Sequence, residues 1–275
     1  MYTKKLSNSV LIVASVWAML IGVSCQSGNQ NTQQQVADSS AMSGVSQDVK
    51  DIVNPLPTPF ELTQTLKDIG AQYNSKILNL PSNIEKYFKE SSKAINLGVY
   101  VADLAYAASY DQKQDINIYS KTVKDLVDQL GIKIDYSLMM SDEFKSKVNN
   151  KDSLVKIISN TYIETYNFLE EKSNPDYSLM MISGMWIELM YIATNISEDT
   201  YNFSGMVNII SNQGKSYKKL MSLLAARNAN ADIKNLETKL IVLQPVFEKA
   251  EQGLTEQDYS IILKTIQNVR KSLVL

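Results

Sequence analysis

Apolar residues recur along most of this chain at the three- and four-residue spacing of amphipathic helices. Two stretches differ because they are apolar on nearly every face: residues 97–110, LGVYVADLAYAASY, and residues 179–196, LMMISGMWIELMYIATNI. Such a helix is either buried in a core or spans a membrane. The second stretch contains Ser183, Gly184 and Glu188, and a carboxylate at the bilayer midplane costs a few kcal/mol. The pattern therefore favours a buried central helix, with a membrane span as the alternative. The small Ser183 and Gly184 would let another helix approach closely.

Capping residues mark the helix ends. Asn174 and Pro175 start the central helix, and Thr255 with Asp258 starts the last one. The predicted helices cover 58–78, 82–110 with a break near Ser91, 116–130, 141–148, 152–171, 174–196, 197–226 with a break at Gly214, 233–252 with a kink at Pro245, and 255–275. No segment alternates like a strand. We therefore expect an all-α fold, a single bundle or short helical solenoid of about eight to ten helices.

The first residues have the pattern of an export signal. Lys4 and Lys5 precede an apolar run at 10–23, and Gly22-Val23-Ser24 precedes Cys25. This resembles a bacterial lipoprotein signal, in which the cysteine is acylated, although Gly22 stands where leucine is usual. Ordinary signal-peptidase cleavage is the alternative. The resulting organisation is a leader at 1–24, a lipidated cysteine with a polar tether at 25–57, and a helical domain at 58–275.

Composition excludes several kinds of chemistry. The chain has no histidine and one cysteine, Cys25. Histidine-based triads and general bases are thus ruled out, as are almost all zinc, copper and haem sites. We expect neither a metal nor a cofactor. The net charge of −2 is small and gives no reason to expect nucleic acid as a partner.

Two carboxylates are the most distinctive candidates for catalytic residues. Asp103 and Glu188 each stand alone in an apolar helix, where burial should raise their pKa. Two carboxylates across a cleft are the minimum for glycoside hydrolysis. The structural alternative is that a tyrosine hydroxyl or a free backbone group holds each acid and thereby specifies helix pairing. Each acid is followed at the third position by tyrosine and at the fifth by alanine, which suggests either an old duplication or chance.

Aromatic residues near these acids form a second set of candidates. Tyr100, Tyr106, Tyr110, Trp186 and Tyr191 would suit a pocket for a sugar or an amphipathic ligand. At helical spacing they are also typical of core residues. The ligand-binding candidates are therefore Tyr100, Asp103, Tyr106, Trp186, Glu188 and Tyr191.

The runs GVYVADLAYAASY and ISGMWIELMYIAT resemble uncharacterised all-helical lipoproteins of Bacteroidetes-type bacteria. The resemblance implies a helical envelope lipoprotein and brings no activity or catalytic residue with it. Residues 26–29, QSGN, lack the acids typical of surface display, which favours an outer-membrane, periplasm-facing position.

We therefore expect a non-catalytic role in binding or assembly, with membrane attachment through Cys25. The partner would be another envelope protein or a small amphipathic or sugar-like ligand. The alternatives are a carboxylate-dependent hydrolase using Asp103 and Glu188, and a purely structural envelope protein.

Overall fold

The protein is described here from a computed structural model covering residues 59–136, 139, 141, 144, 151–197, 199–203 and 205–275. Its α-helices are α1 (Pro59–Asp68), α2 (Glu90–Ser109), α3 (Lys113–Gln129), α4 (Lys151–Lys172), α5 (Pro175–Asn195), α6 (Met206–Ser211), α7 (Gly214–Ala226), α8 (Ala231–Leu240), α9 (Gln244–Glu248) and α10 (Glu256–Val274). Short 3-10 helices occur at Ser75–Ile77, Pro81–Lys86, Ile241–Leu243 and Ala250–Gln252. Within these ranges no strand is present, and the predicted all-α class and approximate number of helices are confirmed.

The two apolar stretches form the centre of the core. Every residue of α2 from Ala94 to Ser109 is buried, and so is every residue of α5 from Ser178 to Met190. These two helices pack more extensively on each other than on any other element. The prediction of a buried central helix is thus confirmed. Among the described helices, none is long and apolar enough to cross a membrane.

Two glycines allow α2 and α5 to approach backbone to backbone. A Cβ atom built on Gly98 would lie 1.9 Å from the carbonyl oxygen of Met181, and one built on Gly184 would lie 2.0 Å from that of Ile95. The contacts are reciprocal, because each glycine meets the residue three positions before the other glycine. No side chain fits in either place, which confirms the close approach predicted at Gly184.

Several predicted helix ends are also confirmed. The side chain of Asn174 accepts a hydrogen bond from the backbone N–H of Asp176, with Pro175 in the first turn of α5. Thr255 and Asp258 form a reciprocal capping box at the start of α10. Caps of this kind satisfy backbone donors that the helix itself leaves unpaired.

Other boundaries were predicted wrongly. The first helix ends at Asp68 rather than near Leu78, because Gly70 adopts a positive φ of 84° that stops it. The predicted capping box at 82–85 lies inside the 3-10 helix, and the α-helix starts only at Glu90.

The C-terminal half also breaks more often than the pattern indicates. Ser197 does not cap a helix, since residues 199–203 form turns and α6 begins only after Gly205. The helix predicted over 233–252 is divided into four short pieces around Pro245. The leader, Cys25 and tether lie outside the described residues, as does most of the predicted 141–148 helix, and those predictions stand as predictions.

Candidate functional site

The two carboxylates singled out in the sequence meet in the core, together with an arginine. Asp103 comes from α2, Glu188 from α5 and Arg270 from α10. Both acids are 0% exposed, and Arg270 is 9% exposed. The α2–α5 approach at the glycines brings the two acid-bearing faces together, and α10 packs against α5 to deliver the arginine. The sequence neighbours of Asp103 and Glu188 are apolar, so the cluster is enclosed by packed side chains.

Glu188 and Arg270 form a bidentate ion pair. The guanidinium Nε donates to Oε2 of Glu188 at 2.6 Å, and one terminal nitrogen donates to Oε1 at 2.7 Å. That same nitrogen donates to the backbone carbonyl of Ile77 at 3.0 Å. The guanidinium also lies 3.9 Å from the ring centroid of Tyr191, a cation–π contact on the next turn of α5. A fork-to-fork arrangement fixes the arginine in orientation as well as in charge.

Asp103 completes the cluster on the other side. One carboxyl oxygen accepts a hydrogen bond from the backbone N–H of Asn79 at 3.1 Å, whereas Oδ1 meets no donor. Asn79 is itself fixed, because its amide donates to the hydroxyl of Tyr87 at 3.0 Å and its carbonyl accepts from Tyr119 at 3.1 Å. The predicted support from a free backbone group therefore holds for Asp103. Glu188 is held differently, by an arginine.

Charge balance explains the protonation of the cluster. Burial and the neighbouring carboxylate of Glu188 raise the pKa of Asp103 well above its ordinary value, although Arg270 opposes the shift. Burial alone would lower the pKa of Arg270, but the charge of Glu188 outweighs it and the pKa rises. One cation with two anions would leave a net charge in the core, which is costly. The raised pKa means that Asp103 keeps its proton to a higher pH than an exposed aspartate does, and a proton there would make the cluster neutral.

This geometry is better suited to fixing how the three helices pack on one another than to hydrolysis. A neutral and an ionised carboxyl side by side are the protonation states that an acid–base pair requires. A glycosidase, however, needs both groups to face a sugar across an open cleft. Here both oxygens of Glu188 are occupied by Arg270, and neither acid reaches the surface.

The aromatic candidates do not line one pocket: Tyr106 and Tyr110 pack on each other, with ring centroids 5.0 Å apart, whereas the others make different contacts. Tyr100 packs near Tyr87, with its hydroxyl donating to the carbonyl of Leu80 at 2.8 Å. Tyr106 stacks on Tyr73 at 4.9 Å, and burial raises the pKa of Tyr106 to about 12.

Tyr110 belongs with Tyr106, whereas Tyr191 and Trp186 make other contacts. Tyr110 donates to the carbonyl of Ala71 at 3.2 Å, and Tyr191 covers the guanidinium of the cluster. Trp186 lies on another face of α5, with its ring 6.0 Å from that of Tyr217 and its buried Nε1 without a hydrogen-bond partner.

A polar cleft opens elsewhere on the described surface, away from the carboxylates. It has a volume of about 110 Å³ and lies between the start of α2, helix α8 and the end of α10. Asn96, Asp232 and Lys239 are among its lining residues. Asn96 is held by its amide, which donates to the carbonyls of Ser92 and Leu273 at 2.9 Å. Within the described residues, no group of three or more His, Cys, Asp or Glu side chains is arranged to hold a metal ion.

Arg270 is the member of this cluster that the sequence interpretation missed. Its signal is present in the pattern, because the buried positions Ile262, Ile266 and Val269 define the inner stripe of α10. Arg270 follows Ile266 by one helical turn and so falls on that stripe. An arginine on an apolar stripe predicts a buried anion as its partner. The lone Glu188 was the obvious candidate.

Comparison with known proteins adds no assignment: no family model, curated protein or solved structure matches this chain.

Proposed function

We propose that this chain is a lipid-anchored protein of the bacterial cell envelope whose helical domain has a non-catalytic role in binding or assembly. The anchor part of the proposal rests on the leader and on the position of the only cysteine, Cys25. Acylation there would attach the domain to the membrane through the tether. The outer membrane, facing the periplasm, is the position that the residues after Cys25 favour.

The non-catalytic part rests on one observation. Glu188, the most distinctive acid of the sequence, has both oxygens bound by Arg270 inside a closed core. Substrate access would require this ion pair to break and α5 to separate from α10. The cluster is instead suited to fixing how three helices pair, which leaves binding to the outer surface of the domain.

Intact mass measurement tests the anchor. The chain purified from a bacterium that processes lipoproteins should lack residues 1–24 and carry the mass of acyl chains on Cys25. The variant Cys25→Ser should carry no acyl mass and should move from the membrane fraction to the soluble fraction. A cleaved chain with an unmodified cysteine would contradict the proposal and support ordinary export.

Native mass spectrometry tests the binding role. The lipidated protein, released from its own envelope in mild detergent, should appear with a partner protein or a bound small molecule. A spectrum that contains the lipoprotein alone, without a partner or a ligand, would contradict tight binding. The hydrolase alternative predicts that Glu188→Gln abolishes a turnover while stability is retained, whereas a structural cluster predicts a large loss of stability.

A further inference from the structure

Two of the large apolar side chains that the protein exposes lie just before α2. Apart from the last residue of the chain, the two most exposed large apolar side chains among the described residues are Phe88, at 85%, and Leu80, at 64%. Both belong to the segment that contains the 3-10 helix Pro81–Lys86 and leads into α2. Leaving a phenylalanine in water forgoes the stabilisation that burial of its ring would give.

Leu80 comes just before and Phe88 just after the 3-10 helix Pro81–Lys86, and the backbone at both ends of this helix is attached to the core. Tyr87, the neighbour of Phe88, packs its ring 6.5 Å from the ring of Tyr100. The hydroxyl of Tyr100 in turn holds the carbonyl of Leu80 at 2.8 Å. Tyr87 also donates to the carbonyl of Val274 at 3.4 Å. The backbone that presents both apolar side chains is thus attached to the buried core.

The charges around Phe88 are mixed, with a small positive excess, because residues 80–93 contain three lysines and two glutamates. Lys86 and Lys89 are exposed on either side of Phe88. Glu85 is an exposed acid of the same segment, whereas Glu90 is held in an ion pair at 2.8 Å within its own helix. We call Leu80, Lys86, Phe88 and Lys89 together the Phe88 surface. It combines an aromatic ring, a leucine and two cations, as in segments that lie at a lipid interface.

The size of the Phe88 surface argues for a bilayer rather than a protein. A stable protein interface buries about 800 Å² on each partner, far more than two apolar side chains provide. Insertion of two side chains into a bilayer is sufficient to hold the domain there, however, when a lipid anchor already keeps it at the membrane. The contact of the side chains with lipid is then intramolecular. The proposed acylation of Cys25 would supply such an anchor.

We infer that the Phe88 surface docks the helical domain onto an anionic lipid bilayer, with Phe88 and Leu80 in the interface and Lys86 and Lys89 over the headgroups. The inference rests on the proposed lipid anchor and adds a second, non-covalent attachment to it. The domain then lies on the membrane with a defined face toward it, rather than at the end of a free tether.

Fluorescence quenching tests this directly in the acylated mature chain, reconstituted in vesicles of phosphatidylethanolamine and phosphatidylglycerol. The variant Phe88→Trp places a reporter in the surface, and Val242→Trp places one at a matched position, 51% exposed, elsewhere. Lipids brominated on their acyl chains should quench the new tryptophan of Phe88→Trp and shift its emission to the blue. The tryptophan of Val242→Trp should remain unquenched. Trp186 is buried in both proteins and gives a common background.

Charge variants test the headgroup contact. The double variant Lys86→Gln with Lys89→Gln should lower the equilibrium constant for docking about thirty-fold. Each lysine near an anionic surface raises that constant roughly five-fold. The matched pair Lys215→Gln with Lys218→Gln, exposed on α7, should change nothing. Equal effects of the two pairs would overturn the proposed orientation.

The outcomes separate this inference from the proposed function. If intact mass shows the acyl group but the Phe88→Trp reporter stays unquenched, the docking inference fails while the lipoprotein assignment stands. A chain without the acyl group overturns the proposed function and the inference together. A photo-crosslinking amino acid at position 88 provides a third result: a protein adduct in intact cells, without quenching in vesicles, would make this a protein-binding surface and overturn docking on lipid.

Discussion

Replacing Arg270 by methionine is the perturbation that most directly tests the buried cluster. Arg270→Met keeps much of the side-chain volume but removes the partner of Glu188, the donor to the carbonyl of Ile77 and the cation above Tyr191. Breaking a buried ion pair by removing one member costs about 3–5 kcal/mol. The lost cation–π contact adds about 1 kcal/mol. The sum is a large share of the roughly 5–15 kcal/mol by which a domain is stable.

Urea unfolding of the purified mature chain, followed by far-UV circular dichroism, measures this cost by linear extrapolation. The double variant Glu188→Gln with Arg270→Met should be less destabilised than the sum of the two single variants, by about 1–3 kcal/mol. This follows because the second substitution no longer leaves a buried charge unpaired. Costs that add to within about 0.5 kcal/mol would refute the coupling.

A second arginine provides the matched control. Arg227 also pairs with a glutamate, Glu170, at 2.8 Å, but the side chains are 27% and 22% exposed. Solvent screening limits such a pair to about 0–1 kcal/mol. Arg227→Met should therefore cost far less than Arg270→Met. Similar costs for the two variants would show that burial of the Glu188 pair is not the cause.

Four further substitutions test the packing, the protonation and one helix cap. Gly98→Ala and Gly184→Ala should each lower stability by at least about 2 kcal/mol in thermal unfolding, because the added Cβ meets the backbone of the facing helix. Gly214→Ala is the control and should change stability little, since a Cβ there would lie 3.5 Å from its nearest neighbour. The pKa of Asp103 is raised in the folded state. The contribution of Asp103 to the free energy of unfolding is therefore most favourable below its unfolded pKa of about 4, and it falls as pH rises toward the folded pKa. Asp103→Asn should remove that loss, so its advantage over the native chain should grow with pH between 4 and 8 in urea unfolding; a constant difference would contradict it. Thr255→Ala should cost about 1 kcal/mol and increase hydrogen exchange in the first turn of α10.

The sequence was sufficient for features that depend on local pattern. The all-round apolar runs predicted the two central helices, and the small residues around Gly184 predicted that another helix approaches closely there. Asn174 and Thr255 marked true helix starts because a cap is a contact between residues two or three positions apart. Each of these features is encoded within a single turn or a single face.

The features that failed depend on alternatives of similar energy or on distant partners. The segment at 82–85 carries the letters of a capping box, yet Pro81 starts a 3-10 turn there and tertiary contacts of Tyr87 decide the geometry. The pairing of Glu188 with Arg270 joins residues 82 positions apart. The periodicity of α10 places Arg270 on the inner face, but only the topology brings that face to α5.

The position of the cluster relates the core to the surface. Replacing a buried ion pair by apolar residues is often neutral or stabilising, so the cluster is weakly explained by stability alone. Arg270 holds the carbonyl of Ile77, and Asp103 accepts from the N–H of Asn79. Both backbone groups belong to the segment that carries Leu80 and leads to Phe88. A cluster that joins α2, α5 and α10 thereby also fixes the segment that carries Leu80 and Phe88. A buried polar network gives that segment a single orientation that an apolar contact would define less sharply. On this reasoning the role of the two carboxylates is structural: with Arg270 they position the backbone of the surface segment that carries Leu80 and Phe88.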